Sequence, residues 1–267
     1  FLLTDGRTYG DEALALRAAR RASAEGVGIS AFGIGEDWND VFLDSLARDG
    51  GGVSHYIDSP SKVRDIFKSE IKGLTNLVLR RTRLLASAVP YVEVRNAFRV
   101  SPHMEILPSE EGKPIEIGDL SGQDMLTLVL ELIVNHNQTG EKRIVRLELS
   151  GRDVKSSETV SVHKDIFINF SYKHQETPIS PRLLNLAARL SVFRLQEKAW
   201  RSVESGDVQQ ATRYLESAAT HLFDMGYREL GRAAMLEVER LNQGTKPTVE
   251  GRKKLRYGTR SLSIPSS

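Results

Sequence analysis

Phe1-Leu2-Leu3-Thr4-Asp5-Gly6 is the stretch on which the fold of this chain turns. A short apolar run stops at a carboxylate and a glycine, the pattern of a buried parallel strand. Such a strand delivers Asp5 to the carboxyl edge of its sheet, where open parallel α/β sheets bind their ligands. No Met precedes Phe1. A chain that opens inside a core strand is expected to be a fragment whose flanking strands lie upstream, with the partners of Asp5 among them.

The neighbouring segments support the strand. Residues 11 to 25 carry Leu14, Leu16, Ala18, Ala19 and Ala22 among charges, a helical spacing that Gly26 stops. Ile29 to Gly35 reads as a second buried strand. Glu36-Asp37-Trp38-Asn39 then opens a helix with Val41, Phe42, Leu43, Leu46 and Ala47, ending at glycines 50 to 52. Val53 to Ile57 is a third strand, and Asp58-Ser59-Pro60-Ser61 caps a helix carrying Val63, Ile66, Phe67 and Ile71. Strand and helix repeated three times imply parallel strands joined by right-handed crossovers, part of a doubly wound α/β sheet.

With LLTDG at 2–6, SAFGIG at 30–35, the acidic helix start EDWND at 36–40 and GG..HYID at 51–58, residues 1–74 resemble the second half of a von Willebrand factor A (VWA) domain. The resemblance implies a metal-ion-dependent adhesion site at the carboxyl edge. That site is built from an Asp-x-Ser-x-Ser loop after the first strand, a Thr from a later loop, and an Asp after the fourth strand. Only the last Asp maps here, as Asp5. No Asp-x-Ser-x-Ser occurs in the sequence, so the other ligands are expected upstream. Mg²⁺ fits the chemistry, because it takes one or two carboxylates with hydroxyls and waters, and a partner's carboxylate can complete the shell. Gly6 would give the turn room, while Glu36 and Asp37 would shape the rim. The competing reading of Asp5 is a turn cap or a pair with Arg7.

Composition bounds the rest. The 267 residues suffice for two or three domains, and a net charge of +2 with 27% charged residues supplies no global basic field for nucleic acid. Zero Cys excludes disulfides, thiol nucleophiles and thiolate metal sites but leaves the compartment undecided. The longest apolar run, Met125 to Val134, is interrupted by Thr127 and Glu131 and is too short to span a bilayer.

From about Thr75 the period becomes alternating. Leu126, Leu128, Leu130 and Leu132 face one way; Val145, Leu147 and Leu149 alternate with Arg146 and Glu148. Tyr91 to Val94, Pro114 to Ile117, and Val160 to Phe170 add further strands. The spacing predicts an antiparallel β-sandwich of about seven strands over 75–173. His103, His136, His163 and His174 show no metal-ligand spacing. Pro178 and Pro181 then separate the strands from helices, so a domain junction is expected near Lys173–Pro181. Helices are expected over Arg182–Glu204, Val208–Met225 and Tyr227–Asn242, as a compact bundle within 178–262 rather than a tetratricopeptide array. The basic tail, Arg252, Lys253, Lys254, Arg256 and Arg260, suits either a phosphate or acidic partner or, more simply, a solvated helix end.

The fold expected is therefore α/β, a partial doubly wound VWA-like sheet, plus an all-β sandwich and a C-terminal helical bundle. This order resembles that of bacterial VWA-domain proteins. The expected function is a non-enzymatic adhesion or scaffold module that binds a protein partner through Mg²⁺ at Asp5, with weak metal binding by this chain alone. Two alternatives stay open: a phosphotransfer or phosphohydrolase enzyme using a strand-terminal Asp, and a scaffold whose VWA-like half is structural.

Overall fold

The computed structural model describes residues 1–4, 10–35, 38–57, 59–122, 125–135, 139–172 and 178–262. Strands β1 (Leu2–Thr4), β2 (Ile29–Ile34) and β3 (Gly51–Ile57) form a parallel sheet in that order. Helices α1 (Glu12–Ala24) and α2 (Asp40–Asp49) connect them, and α3 (Val63–Thr75) follows β3 after a 3-10 turn. The strand period sorts residues to two faces. Ile29 and Ala31 pack with Ala19 of α1 and with Leu43, Leu46 and Ala47 of α2. Phe32 lies on the opposite face, its ring centroid 4.4 Å from Phe67 of α3 and 5.1 Å from His55. The expectation of a buried first strand needs correcting. Leu2 and Leu3 remain 38% and 48% exposed, because among the described residues β1 is paired only on its β2 side.

Seven strands follow in two antiparallel sheets. These are β4 (Leu77–Ala88), β5 (Val92–Ser101), β6 (Glu105–Leu107), β7 (Ile115–Ser121), β8 (Thr127–Val134), β9 (Gly140–Asp153) and β10 (Thr159–Phe170). The sheet orders are β10-β9-β4-β7 and β6-β5-β8. Leu84, Ala97, Leu107, Ile115 and Ile117 fill the space between them, with Leu128, Leu130, Leu147 and Leu149 around the rim. Two strands are absent from the sequence reading, β4 and β6. In β4 the buried phase slips from Leu79 to Thr82, where Arg81 adopts φ 51 and the pairing with both neighbours shifts register. A bulge of that kind erases a period-two signal.

The C-terminal helices are α4 (Pro181–Glu204), α5 (Val208–Asp224), α6 (Arg228–Asn242) and α7 (Val249–Arg260). Trp200, Ala211, Leu215, Ala219, Ala234, Val238 and Leu255 form their shared core. Asp207 caps α5 by accepting from the Gln210 amide at 3.0 Å, which fixes the short α4–α5 turn. Two compact units result: Phe1–Ser69 together with Ala187–Leu262, and Glu70–Leu186. The parallel sheet and the helices that end the described chain thus belong to one body, although the sandwich separates them in sequence.

Candidate functional site

Parallel strands present all their carboxyl ends at one edge. Here Thr4 pairs with Gly33, Gly33 with Tyr56, and Ile34 with Ile57, so the chain leaves the sheet after Thr4, Ile34 and Ile57 on the same side. Asp5, Gly6, Glu36 and Asp37, which the sequence places after β1 and β2, lie outside the described residues, as do Asp58, His136 and His174.

The connection from β2 to α2 is built around Trp38. Its ring lies over β2 in the space a Cβ on Gly33 would take, so only glycine at 33 admits it. The indole N–H donates to the Gly35 carbonyl at 3.0 Å, tying the ring to the end of the strand. Asn39 caps α2, its Oδ1 accepting from the Phe42 amide at 3.0 Å. Asp40, in the first turn of α2, is 1% exposed. A buried carboxylate needs partners, and α7 brings them.

Arg252, Arg256 and Arg260 stand one turn apart on α7, facing Asp40 and Asp44, one turn apart on α2. Arg252 pairs with Asp40; Arg256 reaches Asp40 Oδ2 at 3.0 Å and Asp44 Oδ2 at 3.3 Å; Arg260 reaches Asp44 Oδ2 at 2.8 Å. The Tyr257 hydroxyl donates to Asp44 at 2.9 Å, and the Ser54 hydroxyl of β3 donates to the same carboxylate. Burial works to raise the Asp44 carboxyl. The charge of Arg260, its hydrogen bond and the charge of Arg256 outweigh burial, and the group lies below its ordinary value. Burial also pushes the Tyr257 phenol up, and the Asp44 charge pushes it the same way. Tyr257 fits beside Trp38 and Tyr56, ring centroids 5.7 and 5.9 Å away, and the Lys253 ammonium sits 4.3 Å over the Trp38 ring.

The basic cluster of the sequence is therefore neither a solvated helix end nor a free basic patch. Its three arginines are ion-paired within the chain. Asp40 belongs to the acidic helix start EDWND at 36–40, and Asp44 lies one turn beyond it. The signal was present in two complementary four-residue ladders, Asp-x-x-x-Asp and Arg-x-x-x-Arg-x-x-x-Arg. Nothing in either segment says that they meet, because over 200 residues separate them, 212 between Asp40 and Arg252.

The donors at the carboxyl edge can be set against a metal ion. Among the described strand ends, Thr4 brings a hydroxyl, while Ile34 and Ile57 bring no side-chain oxygen. Those donors do not make the six-oxygen shell that Mg²⁺ demands. The ion-paired acids do not supply it either, since Asp40 and Asp44 are already neutralised by arginine.

Residues 181–265 match the Sll0103-like, C-terminal alpha-helical domain. Over 275 aligned residues the chain is 25% identical to the uncharacterized protein sll0103 of Synechocystis sp., covering 100% of this chain and 66% of that protein. Among solved structures it is similar to a von Willebrand factor type A protein from Catenulispora acidiphila. The TM-score is 0.72 at 18% identity, over 98% of this chain and 65% of that one. A weaker likeness, TM-score 0.49 at 16% identity, is to the ArnB paralog VWA2 from Sulfolobus acidocaldarius. The chain thus has a VWA-type fold with sandwich and helical regions, and it spans just under two thirds of the length of the first two of these proteins. Among the described residues no helix is long and apolar enough to cross a membrane.

Proposed function

We propose that this VWA-type module is a non-enzymatic, metal-dependent protein-binding element. Asp5 contributes one carboxylate to a Mg²⁺ ion, groups beyond this chain contribute most of the remaining shell, and a carboxylate of the partner completes it. The observation that supports the reading is the exit of β1 at Thr4 onto the carboxyl edge of a parallel sheet, with Asp5 the next residue in sequence. Open parallel sheets bind ligands there, and a metal held by few protein ligands leaves a position for an incoming carboxylate. Among the described residues the strand ends bring few oxygen donors, which agrees with this division of labour.

The test uses the full-length protein and Mg²⁺ alone as probe. Titration calorimetry should show a Mg²⁺ site whose affinity falls at least about tenfold in Asp5→Ala, about 1.4 kcal/mol, with the circular dichroism unchanged. Equal Mg²⁺ affinity in the wild type and Asp5→Ala would sink the assignment.

A further inference from the structure

The bulge in β4 decides what the outer face of the four-stranded sheet carries. Leu84 of β4 pairs with Leu149 of β9, and both pack into the sandwich core. Arg83 pairs with Ser150, so these two lie on the opposite, outer face. The irregularity at Arg81 then puts Arg80 opposite Arg152. Residues 150 and 152 share a face, because the register of β9 with β10 is unbroken there. Two rows therefore cross the outer face. One holds Arg80, Arg152 and Thr159; the other holds Glu116, Arg83, Ser150 and Ser161. The three arginines, Thr159 and Ser161 are exposed, and Ser150 is half-buried.

Arg80 and Arg152 stand directly opposite each other, an arrangement that sets Cβ atoms about 5 Å apart and is destabilising for like charges. Elsewhere on this sheet arginines are answered by acids. Arg83 reaches Glu116 at 2.8 Å, while Arg146 and Arg143 reach Asp165 at 2.7 and 3.8 Å. Among the described residues neither Arg80 nor Arg152 has a carboxylate partner. Arg152 donates from Nε to the Ser157 carbonyl at 3.0 Å, which holds its guanidinium at the β9–β10 turn. Glu116 is the acid of the two rows, and Arg83 engages it; Glu148 lies one row further on, opposite His163.

Two unanswered cations match the charge of a phosphomonoester, about −1.5 to −2 at pH 7. Guanidinium forks suit phosphate oxygens, and the Thr159 and Ser150 hydroxyls beside them add donors. A carboxylate, with one charge, would leave one arginine unanswered. A nucleic-acid backbone needs a track of cations rather than one pair. We propose that the outer face of β4, β9 and β10 binds a phosphomonoester between Arg80 and Arg152. The site depends neither on Asp5 nor on a metal.

Titration calorimetry on the full-length protein tests this, with inorganic phosphate and O-phosphoserine as separate probes. Ionic strength is held at about 0.05 M with NaCl, so that screening between exposed charges stays weak. Both probes should give saturable binding that weakens at least about tenfold in Arg152→Ala and in Arg80→Ala. Arg95→Ala, which removes an exposed arginine from the other sheet, should leave it unchanged. Tighter binding of phosphoserine would identify the ester as the form recognised, and equal binding the free phosphate. Absence of saturable binding would overturn the proposal, as would equal losses in Arg95→Ala and Arg152→Ala, the mark of a diffuse charge effect.

Discussion

The carboxylate of Glu237 on α6 stands in the space that a Cβ on Gly251 of α7 would fill. From there it accepts the Thr248 amide and the Thr248 hydroxyl, both at 2.7 Å, while Thr248 Oγ1 accepts the Gly251 amide at 3.0 Å. A buried acid thus satisfies donors at the positive end of the neighbouring helix, which is where an anion is best placed. Glycine at 251 is the condition for that approach.

Gly251→Ala should therefore destabilise the protein by about 2–4 kcal/mol, the sum of an overpacked contact and a lost cap. Urea unfolding followed by circular dichroism measures it. A loss below about 1 kcal/mol would mean that Glu237 moves aside without cost.

Gly33→Ala should expel Trp38 from its seat on β2, since the new methyl group meets the indole ring itself and not the end of a flexible side chain. The expected cost is about 2–4 kcal/mol, near that of emptying a buried aromatic site. Tryptophan emission should shift to longer wavelength, because Trp38 is 2% exposed in the native fold. An unshifted spectrum would show that the strand accommodates the methyl group.

The Asp44 ion pairs give a dependence on pH with a definite sign. A carboxyl lowered in the folded state contributes stability above its unfolded value of about 3.9, and loses it as pH falls through the lower folded value. Asp44→Asn should be less stable than the wild type by about 1–3 kcal/mol at pH 7, because the arginines lose their partner. The two proteins should converge as the pH drops well below about 4. Denaturation curves at a series of pH values that stay parallel down to the acid limit would contradict the assignment.

For the chain of 267 residues alone, calorimetric titration with Mg²⁺ should give no specific site at micromolar concentration, because one carboxylate cannot replace enough of the ion's hydration. A micromolar site here would show that this chain brings a full ligand set.

The fold was legible wherever one physical period ran unbroken. In β8, Leu128 and Leu130 alternate without interruption and face the sandwich core. In α5, Ala211, Leu215, Ala218 and Leu222 repeat at helical spacing and are buried. Legibility failed in β4, where the bulge at Arg81 changes the face on which side chains fall. It failed also for α7, whose inward face is cationic, so that a rule equating charge with solvent put Arg256 and Lys253 outside, whereas Lys253 is fully buried. Of the candidate site, the exit of β1 onto the sheet edge could be read from LLTDG. The engagement of Asp40 and Asp44 could not, because charge complementarity between distant helices carries no local pattern.

The reach of α7 back to α2 bears on how the protein is made. A ribosome adds residues one after another, and segments fold as they emerge if their contacts are local. Asp40 leaves the ribosome 216 residues before Arg256. Through that interval both acids of α2 stay hydrated, the seat for Tyr257 stays open, and the intervening strands have time to pair among themselves. The α/β layer is therefore expected to mature late, since contacts of such long range slow folding. Nascent chains halted before residue 249 should then carry a finished sandwich behind an unfinished amino-terminal layer.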